Sequence, residues 1–137
     1  MILLVDTNIF LDVLYNRDGL VDTSSAFLLK SHINHDKIYI SAATLKDIAY
    51  FLKKTLHDDS LVQKELVKIY SNISKVISST ADDVINSFYE DGDFEDNVQI
   101  NSAIRTMCDA IITRNIKDYK NKGINCLTPE EYLKYCS

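Results

Sequence analysis

Short, mostly apolar runs alternate along this chain with longer stretches whose apolar positions recur every three or four residues. The short runs are "ILLV" at 2–5, "KIYIS" at 37–41, "KVIS" at 75–78, "AIIT" at 110–113 and "INCL" at 124–127. Each has the length of a strand, and the most apolar of them read as strands covered on both faces. The longer stretches predict helices over 8–15, 21–35, 42–56 and 60–73, then from Thr80 through Tyr89, from Asp93 past Met107, and from Thr128 to about Tyr135. Ala26, Phe27, Leu29 and Ile33 form the expected inner face of the second helix. Leu45, Ile48, Ala49 and Leu52 do the same for the third.

Three helix starts carry cap signals. Thr80 with Asp83 is a capping box that uses Asp in place of the commoner Glu, and Asp93 with Asp96 repeats the arrangement. "TPEE" at 128–131 has a cap residue, Pro at the first helical position and Glu131 at the third. Strands alternating with helices predict an α/β fold with a parallel sheet and helices on both faces. Ligands of such sheets bind beyond the carboxyl ends of the strands.

Composition narrows this picture. A chain of 137 residues suits one domain with a real core, and 3 Gly, 1 Pro and no repeat or low-complexity tract mark no linker. The expected organisation is therefore a single domain over 1–137. The apolar opening is too short for a signal-peptide core or a membrane span, which predicts a cytoplasmic protein without membrane attachment. Cys108, Cys126 and Cys136 have no CxxC spacing, so they read as reduced thiols. A net charge of −5 argues against a broad electrostatic grip on nucleic acid; any such contact is local or cation-mediated.

The strand ends hold the candidate chemistry. Asp6 follows the first strand, and Asp47 lies about a turn and a half into the helix after the second. Thr113 ends the fourth strand, with Asn115 and Asp118 just beyond, and Asp96 sits in the first turn of the helix leading into that strand. Singly, each acid has a local explanation as a turn former, cap or solvated residue. They converge on one edge if the "YEDGD" loop at 89–93 crosses the top of the sheet. Converging carboxylates repel one another and resist ionisation unless a cation is present. Oxygen-only donors suit Mg²⁺ or Mn²⁺, which support phosphodiester hydrolysis.

"VDTNIFLD" at 5–12, "DFEDNVQINSAI" at 93–104, "IITRNIKDY" at 111–119 and "LTPEEYL" at 127–133 together resemble the PIN-domain family, especially the small bacterial toxins of the VapC type. The resemblance spans nearly the whole chain in order. It implies a five-stranded parallel sheet flanked by helices and an Mg²⁺- or Mn²⁺-dependent endoribonuclease, often a homodimer, inhibited by a cognate antitoxin protein. Matched by position, the family's catalytic and metal-binding acids fall on Asp6, Asp47 and Asp96, with Asn8 as a polar helper. Asp47 stands where relatives usually carry the longer Glu. The fourth acid of many relatives falls on Asn115 and that of others on Asp118; Asp118 is the assignment, and Thr113 and Asn115 are supporting residues that would hold waters or phosphate oxygens. Asp12 and Asp109 also match acidic family positions, although a solvated helix face and a turn explain them.

Arg114, Lys117 and Lys120, with Lys122, form a basic stretch suited to RNA phosphates, and Tyr119 offers a stacking surface. A solvated loop explains the same residues. His32, His35 and His57 belong to helix ends. An aspartyl-nucleophile phosphatase needs a second Asp two residues after Asp6, where Asn8 stands. A receiver-like module wants paired acids at the first strand and a Lys ending a late one; Thr113 is there instead. A degenerate PIN-like binding or interaction module and a flap-type DNA nuclease are the remaining alternatives.

Overall fold

Ile2–Val5 (β1) is the central strand because its residues are apolar on both faces, so each face can carry a layer of helices. The structure is a computed structural model that describes residues 1–119 and 122–136. β1 pairs in parallel with Lys37–Ser41 (β2) on one side and Ala110–Ile112 (β4) on the other, with Val5 opposite Ile112. Lys75–Ile77 (β3) extends the sheet beyond β2, and Asn125–Leu127 (β5) extends it beyond β4. The five apolar runs form a five-stranded parallel sheet, as expected, and its order is β3-β2-β1-β4-β5.

The two-residue period of the strands divides the core. Leu3, Val5, Ala110 and Ile112 point to one face, against Thr7–Leu14 (α1), Val21–Ile33 (α2), Ala42–Leu56 (α3) and Pro129–Tyr135 (α7). Leu4 and Ile111 point to the other, where Ile100 and Ala103 of Phe94–Arg105 (α6) cover them with Ile77 and Tyr119. Ala81–Ser87 (α5) packs on α6, and its Thr80–Asp83 capping box is complete, as is the Thr128–Glu131 box that opens α7.

Three expectations need correction. The helix over 60–73 is an α-helix only over Asp59–Val67 (α4) and continues as a π-helical turn over Lys68–Ile73. In α2 the inward face is Ser24, Phe27 and Ser31, while Leu29 and Ile33 are exposed. Phe27 sets that face by meeting the Tyr132 ring edge-on at 4.9 Å. Ser24 turns inward because its Oγ donates to Asp12 Oδ2 at 2.8 Å.

Asp12 itself is not on a solvated face: it is fully buried. Arg114 Nε donates to Asp12 Oδ2 at 2.6 Å, while its other nitrogens reach Glu130 Oε1, the Leu20 carbonyl and the Thr23 and Ser24 hydroxyls. Removing one partner of such a buried pair strands the other charge. Arg114→Ala is therefore expected to lower stability by about 3 kcal/mol in urea unfolding, with Asp12 left only the Ser24 hydroxyl and a longer ion pair to the more exposed Arg17, whose Nη1 lies 3.5 Å from Oδ1. A loss below about 0.5 kcal/mol, typical of a surface change, would contradict the assignment.

Candidate active site

Parallel pairing sets the ends of β1, β2 and β4 side by side, and each ends in a residue that can hold or orient a ligand. Asp6 extends the β1–β4 ladder, its N–H donating to the Ile112 carbonyl at 2.9 Å, and caps α1, its Oδ1 accepting from Thr7 N at 2.8 Å. Its Oδ2 accepts from the hydroxyl of fully buried Thr113 at 2.9 Å. Thr113 Oγ1 also accepts from Asn115 N at 3.1 Å, which fixes the start of the loop after β4. At the end of β2, Ser41 caps α3 by accepting from Thr44 N at 3.0 Å. The Thr44 hydroxyl lies 3.1 Å from both the Ser41 and the Thr7 hydroxyls, joining the two strand ends.

Asp96 arrives from the other side of the sheet. Asp93 caps α6, its Oδ1 accepting from Asp96 N at 2.9 Å. The reciprocal bond of a capping box is absent, because the Asp96 carboxylate turns away from its own helix start. Its Oδ1 accepts from the Tyr119 hydroxyl at 3.0 Å, and the same hydroxyl accepts from Gln99 Nε2 at 3.1 Å. Burial pushes the Asp96 carboxyl up to about 6; the Tyr119 hydrogen bond opposes that rise, and the charges of Asp93, Asp6 and Asp118 add to it. Tyr119, on the Ile116–Tyr119 3₁₀ turn, is 1 % exposed and so is no stacking surface for RNA. Burial, then the charges of Asp6 and Asp96, hold its phenol far above the usual range, so it remains a neutral donor.

A cavity of about 440 Å³ joins these elements, lined by Asp6, Asp47 and Asp96 together with Thr7, Ser41, Thr44, Lys46, Phe94 and Gln99. Three of the four sequence-assigned acids thus face one space from α1, α3 and α6. Asp118 does not line it, although its charge reaches Asp96 and its carboxylate accepts from Asn115 Nδ2. Asn8 is exposed outside the cavity, and Lys117 is exposed beside Asp118. Arg114 is turned into the Asp12 network, and Lys120 lies outside the described residues. Lys46, Thr44 and Gln99 line the same cavity and were passed over by sequence reasoning. Lys46 has only its place beside Asp47 to signal it, and Gln99 its place one helical turn after Asp96.

Among the described residues, no three His, Cys, Asp or Glu side chains are close enough to enclose an ion as they stand. The donor set nonetheless fits a hard divalent cation: carboxylate and hydroxyl oxygens line the cavity, without sulfur or imidazole. Mg²⁺ in particular needs only one or two carboxylates and keeps several waters.

The raised Asp96 carboxyl fixes the sign of a pH effect. The folded state holds the proton more tightly than the unfolded chain, so this contribution to stability is full below about 3.8 and is lost as pH rises through about 6. In chelator, Asp96→Asn is expected to raise stability at pH 7.5 by about 1 kcal/mol and to change little at pH 3.5, as thermal melts at the two pH values will show. Destabilisation at pH 7.5 would contradict a strained carboxylate.

The family model described as PIN domain matches residues 3–117. No curated protein sequence matches the chain. Among solved structures, the fold is similar to that in VapBC-1 from nontypeable Haemophilus influenzae, with a TM-score of 0.70, 13 % identity and coverage of 95 % of this chain and 99 % of that one. A toxin–antitoxin complex from Klebsiella pneumoniae gives 0.66 at 21 % identity over 92 % and 96 %. VapC20 of Mycobacterium tuberculosis, a sarcin-ricin loop cleaving toxin, gives 0.60 at 13 % over 80 % and 86 %. With a family model that matches residues 3–117, most of its length, and a five-stranded parallel α/β fold consistent with it, the chain belongs to the PIN-domain family.

Proposed function

We propose that this protein is an Mg²⁺- or Mn²⁺-dependent endoribonuclease, the toxin of a bacterial toxin–antitoxin pair, with residues 1–137 forming one nuclease unit. The observation that carries this reading is the meeting of Asp6, Asp47 and Asp96, from three separate elements, in one cavity of a PIN-domain chain. Asp6 and Asp96 would hold the cation, with Asp47 and Asp118 ligating directly or through water and Asn115 orienting Asp118. When bound, the ion would supply positive charge at the scissile phosphate and lower the pKa of an attacking water.

The chain's own residues do the rest. Thr7 N–H and the Thr113 hydroxyl fix Asp6, so its oxygens are oriented before substrate arrives. Lys46 on the cavity wall is placed to pair with a phosphate oxygen, exposed Lys117 would grip the strand further along, and Lys120 is assigned the same role from its place in the sequence alone. Arg114 is left out of that grip because its nitrogens are taken by Asp12 and Glu130. No histidine lines the cavity, so the water's proton passes to a carboxylate or to solvent. The bond from water oxygen to phosphorus forms as the bond to the 3′-oxygen breaks, and no 2′-hydroxyl takes part.

An antitoxin and a second copy of the chain are the proposed protein partners, and the cytoplasm the proposed compartment. Structural relatives solved as VapBC and toxin–antitoxin complexes support the first partner. Exposed Leu29, Ile33, Phe88 and Met107 offer apolar area for such contacts.

One cleavage assay tests the activity. With Mn²⁺ and paired single-stranded RNA and DNA substrates, RNA fragments with 5′-phosphate and 3′-hydroxyl ends are expected. Asp6→Asn and Asp47→Ala should lower the rate about a hundredfold or more, and Asp47→Glu should keep or raise it. Ends with 2′,3′-cyclic phosphate would overturn the mechanism; metal-independent RNA binding without cleavage would favour a degenerate module.

A further inference from the structure

Tyr119 stands at an unusual place in the core. Its ring packs with Leu4, Ile100, Ala103 and Ile111 beneath the sheet, a role that Phe would fill equally well. The hydroxyl is what needs explaining, because a buried phenol costs stability unless both its donor and acceptor functions are satisfied. Both are satisfied, and by residues that line the active-site cavity: the hydroxyl donates to Asp96 Oδ1 at 3.0 Å and accepts from Gln99 Nε2 at 3.1 Å. Asp96 and Gln99 are three residues apart on α6 and so share one face. Oδ2 of Asp96 has no hydrogen-bond partner among the described residues.

We propose that Tyr119, backed by Gln99, is a positioning residue that fixes the Asp96 carboxylate by one oxygen and leaves the other for a divalent cation. Tyr119 directly follows Asp118, and Asn115 begins the same loop. One hydroxyl therefore ties the α6 carboxylate to the loop after β4, and the two halves of the site are set relative to each other before the ion binds. Asp6 is held comparably by the Thr113 hydroxyl, so each of the two acids is oriented by a neutral hydroxyl that neither cancels its charge nor competes as a cation.

The inference rests on Asp96 being a cation ligand, and the test separates the two claims. Mn²⁺ is titrated calorimetrically into the full chain, freed of metal with chelator, and into Tyr119→Phe, Asp96→Asn and the double variant, with each protein's melting in chelator as a folding control. Tyr119→Phe is expected to weaken Mn²⁺ binding about tenfold, the scale of one hydrogen bond to a charged group, while its chelator melt shows one cooperative transition. Asp96→Asn should weaken binding more, and the added Tyr119→Phe should then cost nothing further, since the hydroxyl acts only through that carboxylate. Parent-like binding by Tyr119→Phe beside a weakened Asp96→Asn overturns the positioning role and keeps Asp96 as a ligand. Parent-like binding by Asp96→Asn overturns both. An equal loss from Tyr119→Phe in the parent and the Asp96→Asn backgrounds assigns Tyr119 a general packing role and overturns the proposal.

Discussion

The parallel pairing of β1 between β2 and β4 is the constraint from which the rest of the site follows. Because these strands run the same way, Asp6, Ser41 and Thr113 emerge at one edge, and the Thr113–Asp6 and Thr7–Thr44 bonds between neighbouring strand ends need only hydroxyl-length reach. The order β3-β2-β1-β4-β5 turns back between β1 and β4, the type of place where open α/β sheets leave a crevice for ligands. α6, which returns the chain to β4, brings Asp96 to that crevice at its first turn.

Within this one chain, acids taken out of water are treated in two ways. Asp12 and Asp83 are buried beside arginines: Arg114 for the first, and Arg105 at 2.9 Å for the second. Burial opposes ionisation of Asp83, yet the Thr80 N–H, Arg105 and Ser102 outweigh it and hold the carboxyl below its ordinary value. Among the described residues, Asp6 accepts from an N–H group and a hydroxyl and Asp96 from a hydroxyl alone, and Asp96 is left with an elevated carboxyl. Arginine cancels charge and makes a structural joint. A hydroxyl orients charge without cancelling it, which is what a cation site requires.

The sequence made most of the frame legible because strand and cap signals are local. All five apolar runs are strands, and Thr80, Asp93 and Thr128 all cap helices. Side-chain direction was not legible where a polar partner decides it. α2 turns Ser24 inward for Asp12, against the apolar pattern that favours Leu29 and Ile33. Arg114 sits in a basic stretch, but its guanidinium is drawn away to acids 102 and 16 residues distant in the chain. Tyr119 reads as an exposed loop aromatic until the turn over Ile116–Tyr119 folds it beneath the sheet. Asp6, Asp47 and Asp96 were named by position along the motifs and line one cavity, whereas Lys46, Thr44 and Gln99 join its wall only through three-dimensional adjacency.

The central claim is that hydroxyl-oriented carboxylates of Asp6 and Asp96 share a divalent cation. Anomalous scattering from crystals soaked in Mn²⁺ tests it most directly. The account predicts a peak in the cavity, about 2 to 2.5 Å from a carboxylate oxygen of Asp6 and of Asp96, with Tyr119 still bonded to the other oxygen of Asp96. A peak remote from both acids, or no peak in the cavity at millimolar Mn²⁺, would contradict it.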